Sequence, residues 1–244
     1  MVIMKKKYIV IIPIIIIIIV IIFFVKSIVI DTFDNNWYNK IDGIVYINLE
    51  NREDRKKLIL DELTKIETDM SKVNKVSGLY IPKNGHKGCV QSHITAINIA
   101  KMNKWKYALI FEDDMELNVT PDEFNNNINE ALDYLSNKNI EWDILMLATA
   151  NAQKTKVNDI ISKVSEATTS SSYIIRDIYY DKLLELFNNC NDNMSKDKWG
   201  GGNDWEPYAL DQQWKKLQKT DNWYCFNTDL IKQRNIRSTI MNRE

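Results

Sequence analysis

The longest apolar run lies near the amino terminus. Residues 8–25, "YIVIIPIIIIIIVIIFFV", carry no charge, and a helix continued through Ile30 would cover the roughly 30 Å hydrocarbon core of a bilayer. The pattern predicts a membrane span over 8–30, because "VKSIVIDTFD" offers no small-residue cleavage site of the kind that ends a signal peptide. Lys5, Lys6 and Lys7 precede the run, whereas Lys26 is followed by Asp31 and Asp34. The positive-inside bias then leaves residues 1–7 cytoplasmic and everything after the span lumenal or external, a single-pass type II topology. Pro13 is compatible with this, since membrane helices tolerate proline. Residues 31–41, "DTFDNNWYNKI", are polar and aperiodic and read as a stem.

From residue 42 onward apolar positions switch between strand and helix periods. "GIVYINL" (43–49) has strand length and β-branched character, and "EDRKKLILDELTKIE" (53–67) places Ile59, Leu63 and Ile66 on one helical face. The order repeats with "KVSGLY" (75–80) as a strand, a glycine-containing loop, and "SHITAINIAKMN" (92–103) as a helix. "YALIFE" (107–112) is the next strand. Thr120, Pro121 and Glu123 then supply an N-cap, a first-turn proline and a capping-box acid for a helix burying Phe124, Ile128 and Leu132. "DILMLAT" (143–149) and "SSSYIIR" (170–176) are further strands, and "DKLLELF" (181–187) a helix. Strands alternating with amphipathic helices predict a single α/β domain over 42–244, with a mostly parallel central sheet that binds ligands beyond the carboxyl ends of its strands.

One such end is chemically unusual. "YALIFEDDMEL" (107–117) runs a buried strand into Glu112, Asp113 and Asp114, whose mutual repulsion calls for a positive partner. If strand geometry persists, Glu112 and Asp114 face one way and Asp113 the other. Two carboxylates on one side make a hard-oxygen site suited to Mn²⁺ or Mg²⁺; a solvated acidic loop is the alternative. Asn48, Arg52 and Arg55 follow the first strand, and guanidinium forks suit phosphates or nucleotide carbonyls. In "GHKGCVQSHI", Gly85 and Gly88 allow close backbone approach before Ser92, read as a helix N-cap near which an anion could sit.

The remaining totals narrow the picture. With 32 basic and 33 acidic residues in 244, no basic face for nucleic acid is advertised. Cys89, Cys190 and Cys225 permit at most one internal disulfide and show no zinc spacing. Asn118-Val119-Thr120 and Asn193-Met194-Ser195 fit the glycosylation acceptor pattern. Trp199, Trp205, Trp214 and Trp223 either line an acceptor groove or fill the core.

The ordered set "VYINLENREDR", "GCVQSHITA", "YALIFEDDMEL", "SSYIIRDIYYDKLL", "LDQQW" and "LIKQRNIRSTI" resembles glycosyltransferase family 25, over roughly residues 43–240. That family includes bacterial lipooligosaccharide galactosyltransferases and animal procollagen galactosyltransferases, with related enzymes in large DNA viruses. The resemblance implies a GT-A-type nucleotide-sugar fold, a UDP-sugar donor (often UDP-galactose), a glycan or protein acceptor, inversion at the anomeric carbon, and Mn²⁺ (or Mg²⁺). It places the acidic, metal-holding motif on Glu112, Asp113 and Asp114, of which strand alternation assigns Glu112 and Asp114 to the metal. Donor binding falls on Asn48, Arg52, Arg55, Asp113, Gly88, Ser92 and His93, and the catalytic aspartate on Asp211, with Asp204, Glu206 and His93 as other candidate bases. The tail glutamine and serine match Gln233 and Ser238. Ala209-Leu210 stands where the family has Pro-Val. Two rival expectations use the same residues: a metal-dependent phosphodiester or pyrophosphate hydrolase, and an inactive membrane-tethered binding protein. The lumenal endoplasmic reticulum or Golgi and a viral membrane are the expected settings.

Overall fold

The first predicted strand forms β1, Gly43–Leu49, whose side chains are buried on both faces until Leu49. A run buried on both sides needs β-branched and aliphatic residues at every position, which "GIVYINL" supplies. These elements belong to a computed structural model that describes residues 15–22, 36–82, 84–194 and 207–235. After β1 come α1 (Glu53–Lys65), β2 (Val73–Gly78), α2 (Gly85–Met102), β3 (Tyr107–Glu112), β4 (Met115–Leu117) and α3 (Pro121–Asn137). Then follow β5 (Ile144–Met146), β6 (Ala150–Lys156), β7 (Ile161–Thr168), β8 (Ser172–Arg176) and α4 (Tyr180–Asn193). Two short helices, α5 (Leu210–Gln213) and α6 (Lys215–Gln218), lead to β9 (Trp223–Phe226) and β10 (Ile231–Gln233).

Eight strands form one sheet in the order β2-β1-β3-β8-β5-β9-β7-β6, and β10 pairs with β4 in a separate ribbon. The expectation of a mostly parallel sheet holds for β2-β1-β3 and for β5-β9. It fails elsewhere, where β8 enters antiparallel between β3 and β5, and β6 and β7 form an antiparallel hairpin on the far edge. The sheet is therefore mixed. Its two faces bury separate apolar clusters. Val45, Ile110 and Tyr173 pack against Ile97 of α2 and Phe187 of α4, while Ile44, Leu109 and Phe111 pack against Ile59 of α1 and Phe124 and Ile128 of α3. The predicted capping box is present, with Thr120 and Glu123 bonding each other's backbone N–H.

Trp214 and Trp223 are fully buried and meet edge to face at 5.1 Å. Their place is the core; Trp199 and Trp205 lie outside the described residues. Cys89, Cys190 and Cys225 are free thiols. Residues 15–22 are helical and their side chains are half exposed. Among the described residues no helix is long and apolar enough to cross a membrane. The rest of the predicted span, 8–14 and 23–30, lies outside the described residues, as do residues 1–7 and most of the stem.

Candidate active site

The carboxyl ends of β1, β2 and β3 and the amino end of β8 share one edge of the sheet, and the acidic run of β3 sits there. The strand stops at Glu112, and Asp113 and Asp114 form a turn before β4. The alternation expected to unite Glu112 with Asp114 therefore does not extend that far. Glu112 points to the α2 face, whereas Asp113 and Asp114 both come within reach of Arg55 on α1, at 2.9 and 3.5 Å.

On the α2 face Glu112 is well provided for. Its Oε1 shares a hydrogen bond with His93 Nε2 at 3.2 Å and accepts from Ser170 Oγ. His93 is fully buried. Its Nδ1 lies 2.9 Å from the Tyr173 hydroxyl, and the two rings stack. Burial pushes the Glu112 carboxyl up, but the His93 hydrogen bond and charge, Ser170 and the Arg55 charge outweigh it and hold the group below its ordinary range.

On the α1 face Asp113 accepts from Asn48 Nδ2 at 2.8 Å and from Arg55 at 2.9 Å. Asn48 Nδ2 also donates to Arg52 O, which ties the end of β1 to the start of α1. Burial still raises the Asp113 carboxyl above its usual value. Asp114 accepts from Gln233 Nε2 at 3.0 Å, but its buried Oδ1 has no partner, and neither has Asn48 Oδ1. Burial, then the negative charge of Glu112, pushes Asp114 up to about 7. The positive partner demanded by three adjacent acids is thus Arg55, one guanidinium against three carboxylates.

The arginines differ from expectation. Arg55 is buried and its Nη1 faces both Asp113 and Asp114, while Arg52 grips Asp54 with two nitrogens at 2.9 and 2.8 Å. Ser92 is not an N-cap: α2 begins seven residues earlier, capped by Asn84, whose side chain accepts from Lys87 N. Ser92 instead donates to Gly88 O and accepts from Leu79 N, at 2.7 and 2.9 Å. A Cβ on Gly88 would lie 2.2 Å from Leu79 O. This glycine is needed so that the loop after β2 can lie against α2.

Asp211, at the start of α5, accepts from Thr169 N at 3.1 Å. Burial raises its carboxyl, and the charge of Glu112 adds to the shift. Thr169 has φ 73°, a left-handed conformation that is costly for a β-branched residue and concentrates at functional sites. The segment 169–171 thereby links Asp211, through the Thr169 amide, to Glu112, through the Ser170 hydroxyl. Thr169, Ser170 and Tyr173 are not singled out as site residues from the sequence, although Ser170 and Tyr173 lie in the predicted strand 170–176. Asp204, Glu206 and Ser238 lie outside the described residues.

Arg55, Cys89, His93, Glu112, Asp113 and Asp114 help line a cleft with about 610 Å³ of empty space, counting its open mouth. A concave, largely apolar cleft with converging polar groups suits a small-molecule substrate.

Residues 83–199 match glycosyltransferase family 25 (LPS biosynthesis protein). No curated protein sequence matches the chain. Among solved structures, mannose-1-phosphate geranyltransferase from Thermus thermophilus superposes with TM-score 0.41 and 8% identity, covering 75% of this chain and 72% of that one. A197 from STIV gives 0.43 and 9%, covering 81% and 86%. A glycosyltransferase involved in the glycosylation of the major capsid of PBCV-1 gives 0.38 and 10%, covering 75% and 92%. Nothing further follows from superpositions this loose. The likeness to glycosyltransferase family 25 thus rests on residues 83–199, the stretch that carries α2, β3, the acidic turn and β8.

Proposed function

We propose that the protein transfers a sugar, galactose first among candidates, from a UDP-sugar to a hydroxyl of a glycan or protein acceptor. The reading includes a GT-A-type donor site, inversion at the anomeric carbon and a divalent ion, Mn²⁺ or Mg²⁺. The observation that carries it is Asp114. A buried carboxylate oxygen without a partner, on a group raised to about 7 beside a second acid, is poised for a hard cation. Asp114, through its open Oδ1, would hold such an ion; Glu112, whose charge bears on Asp114 from the other face, would be the second holder, with Asp113 kept by Asn48 and Arg55 for the donor side. A bound divalent ion supplies charge neutralisation for a departing diphosphate.

The chain's own residues do the rest. Arg55 fixes Asp113 and Asp114 at one end of the cleft and offsets part of their charge. Asp211, held through Oδ2 by the Thr169 amide, takes the proton of the acceptor hydroxyl, and its raised carboxyl makes it a stronger base than an ordinary aspartate. His93 orients Glu112 from the opposite side. Residues 8–30 would anchor the domain as a type II membrane protein, with the catalytic side lumenal or external.

The test incubates the full chain, purified in detergent, with Mn²⁺ and a panel of nucleotide sugars, following UDP release with and without glycan acceptors. UDP release that rises with acceptor supports transfer. A folded protein that releases UDP from none of the sugars sinks the reading, and release of nucleoside monophosphate instead would favour a pyrophosphate hydrolase. An endoglycosidase-sensitive glycan on exposed Asn118 in a eukaryotic host would support the lumenal placement; protease accessibility of the domain from the cytoplasmic side would overturn it.

A further inference from the structure

Cys89 and His93 stand one helical turn apart on α2 and so share a face, and Glu112 meets them from the end of β3. The thiol sulfur, an imidazole nitrogen and a carboxylate oxygen all lie within 4.8 Å of one another, and all three residues line the cleft. We propose that these three side chains form a site for a borderline-soft divalent cation of the Zn²⁺ class, with its fourth position open to the cleft.

Three observations carry this. The donor set mixes sulfur, nitrogen and oxygen, which suits Zn²⁺ or Co²⁺ and is a poor match for Mg²⁺ or Mn²⁺. The second is spacing. Two ligands about 2.0–2.1 Å from a tetrahedral ion stand about 3.3 Å apart, and His93 Nε2 and Glu112 Oε1 are 3.2 Å apart already. The third is the outer partner. Tyr173 OH sits on His93 Nδ1 at 2.9 Å, the contact that fixes ring orientation and tautomer in metal-bound histidines. On binding, Nδ1–H donates to the Tyr173 oxygen, Nε2 presents its lone pair, and the Cys89 thiol gives its proton to solvent as sulfur joins the ion.

The site differs from the hard-oxygen pair by its softness and shares only Glu112 with it. Occupancy therefore withdraws Glu112 from Asp114, so Zn²⁺ and Mn²⁺ compete for one carboxylate. The inference does not depend on the transferase reading, because its test reads ligand chemistry rather than turnover.

That test titrates Co²⁺ into the full chain. The expected result is a thiolate-to-cobalt charge-transfer band in the near ultraviolet, quenched by Zn²⁺, kept in Cys190→Ser and Cys225→Ser, and lost in Cys89→Ser with its circular dichroism unchanged. Absence of the band, or its persistence in Cys89→Ser, overturns the proposal. Should Cys89→Ser misfold, zinc-edge X-ray absorption on the Zn²⁺-loaded wild-type chain decides. One sulfur in the zinc shell upholds the site, and a shell of oxygen and nitrogen alone refutes it.

Discussion

The two faces of the sheet at the end of β3 treat their acids in opposite ways. On the α2 face Glu112 has a histidine and a serine on one oxygen and a charge held below the usual range. On the α1 face Asp114 has one amide, a distant guanidinium and a buried oxygen with no partner. The first is a structural acid that chemistry can borrow; the second is unfinished until something positive arrives. Adjacent carboxylates thus acquire different duties from burial and partners alone, as in enzymes where environment separates two acids into two roles.

Glu112→Ala should break this contrast most severely. It strips the acceptor from His93 and Ser170, and we expect a loss of about 3–5 kcal/mol in urea unfolding at pH 7, as when one partner of a buried pair is removed. Asp114→Asn should do the reverse. Folding raises this carboxyl from 3.8 to about 7, so the proton favours the folded state. Its charged form costs stability above pH 7 and nothing below about pH 4. The asparagine variant should therefore be more stable than wild type by roughly 2–4 kcal/mol at pH 8, fading to no difference at pH 4. It should lose Mn²⁺-dependent turnover about 100-fold or more. Equal stability at pH 8 would show that Asp114 is not the strained partner.

Smaller effects sharpen the comparison. Asp211→Asn should lower kcat by about 100-fold while leaving Mn²⁺ affinity within twofold, since Asp211 bonds the Thr169 amide rather than the acidic turn. Weakened Mn²⁺ binding would place it among the ligands. Gln233→Ala should cost about 1 kcal/mol and raise the Asp114 carboxyl further, seen as a higher pH midpoint for Mn²⁺ binding. An unchanged midpoint would mean that Gln233 holds the tail and not the charge.

Much of the α1 side was legible in the sequence. The runs at 43–49, 53–67 and 107–112 became β1, α1 and β3 within a residue or two, because local period and burial agree there. The capping box at Thr120 was readable because it is a local device. What failed was non-local. β8 lies antiparallel between β3 and β5, a register set by partners some sixty residues away along the chain. The hairpin of β6 and β7 was missed, since β6 is mostly exposed and carries little apolar signal. At the site, the acids and His93 stood out by residue type, but their roles hinged on a turn at Asp113 that no alternation rule foresees. The N-cap slid from Ser92 to Asn84 because two glycines before Ser92 looked like a loop, whereas Gly88 serves a backbone contact inside the helix.

The reach of Gln233 to Asp114 spans 119 residues, and this sets an order of assembly. On a ribosome β1, α1 and β3 emerge early, yet Glu112 gains Ser170 only after β7 has been made and Asp114 gains Gln233 only when β10 leaves the exit tunnel. Contacts so distant in sequence form late and slowly. For most of its synthesis the nascent domain therefore carries an open acidic mouth, and a chain arrested short of β10 would expose that mouth to any cation in its surroundings before the cleft exists to select one.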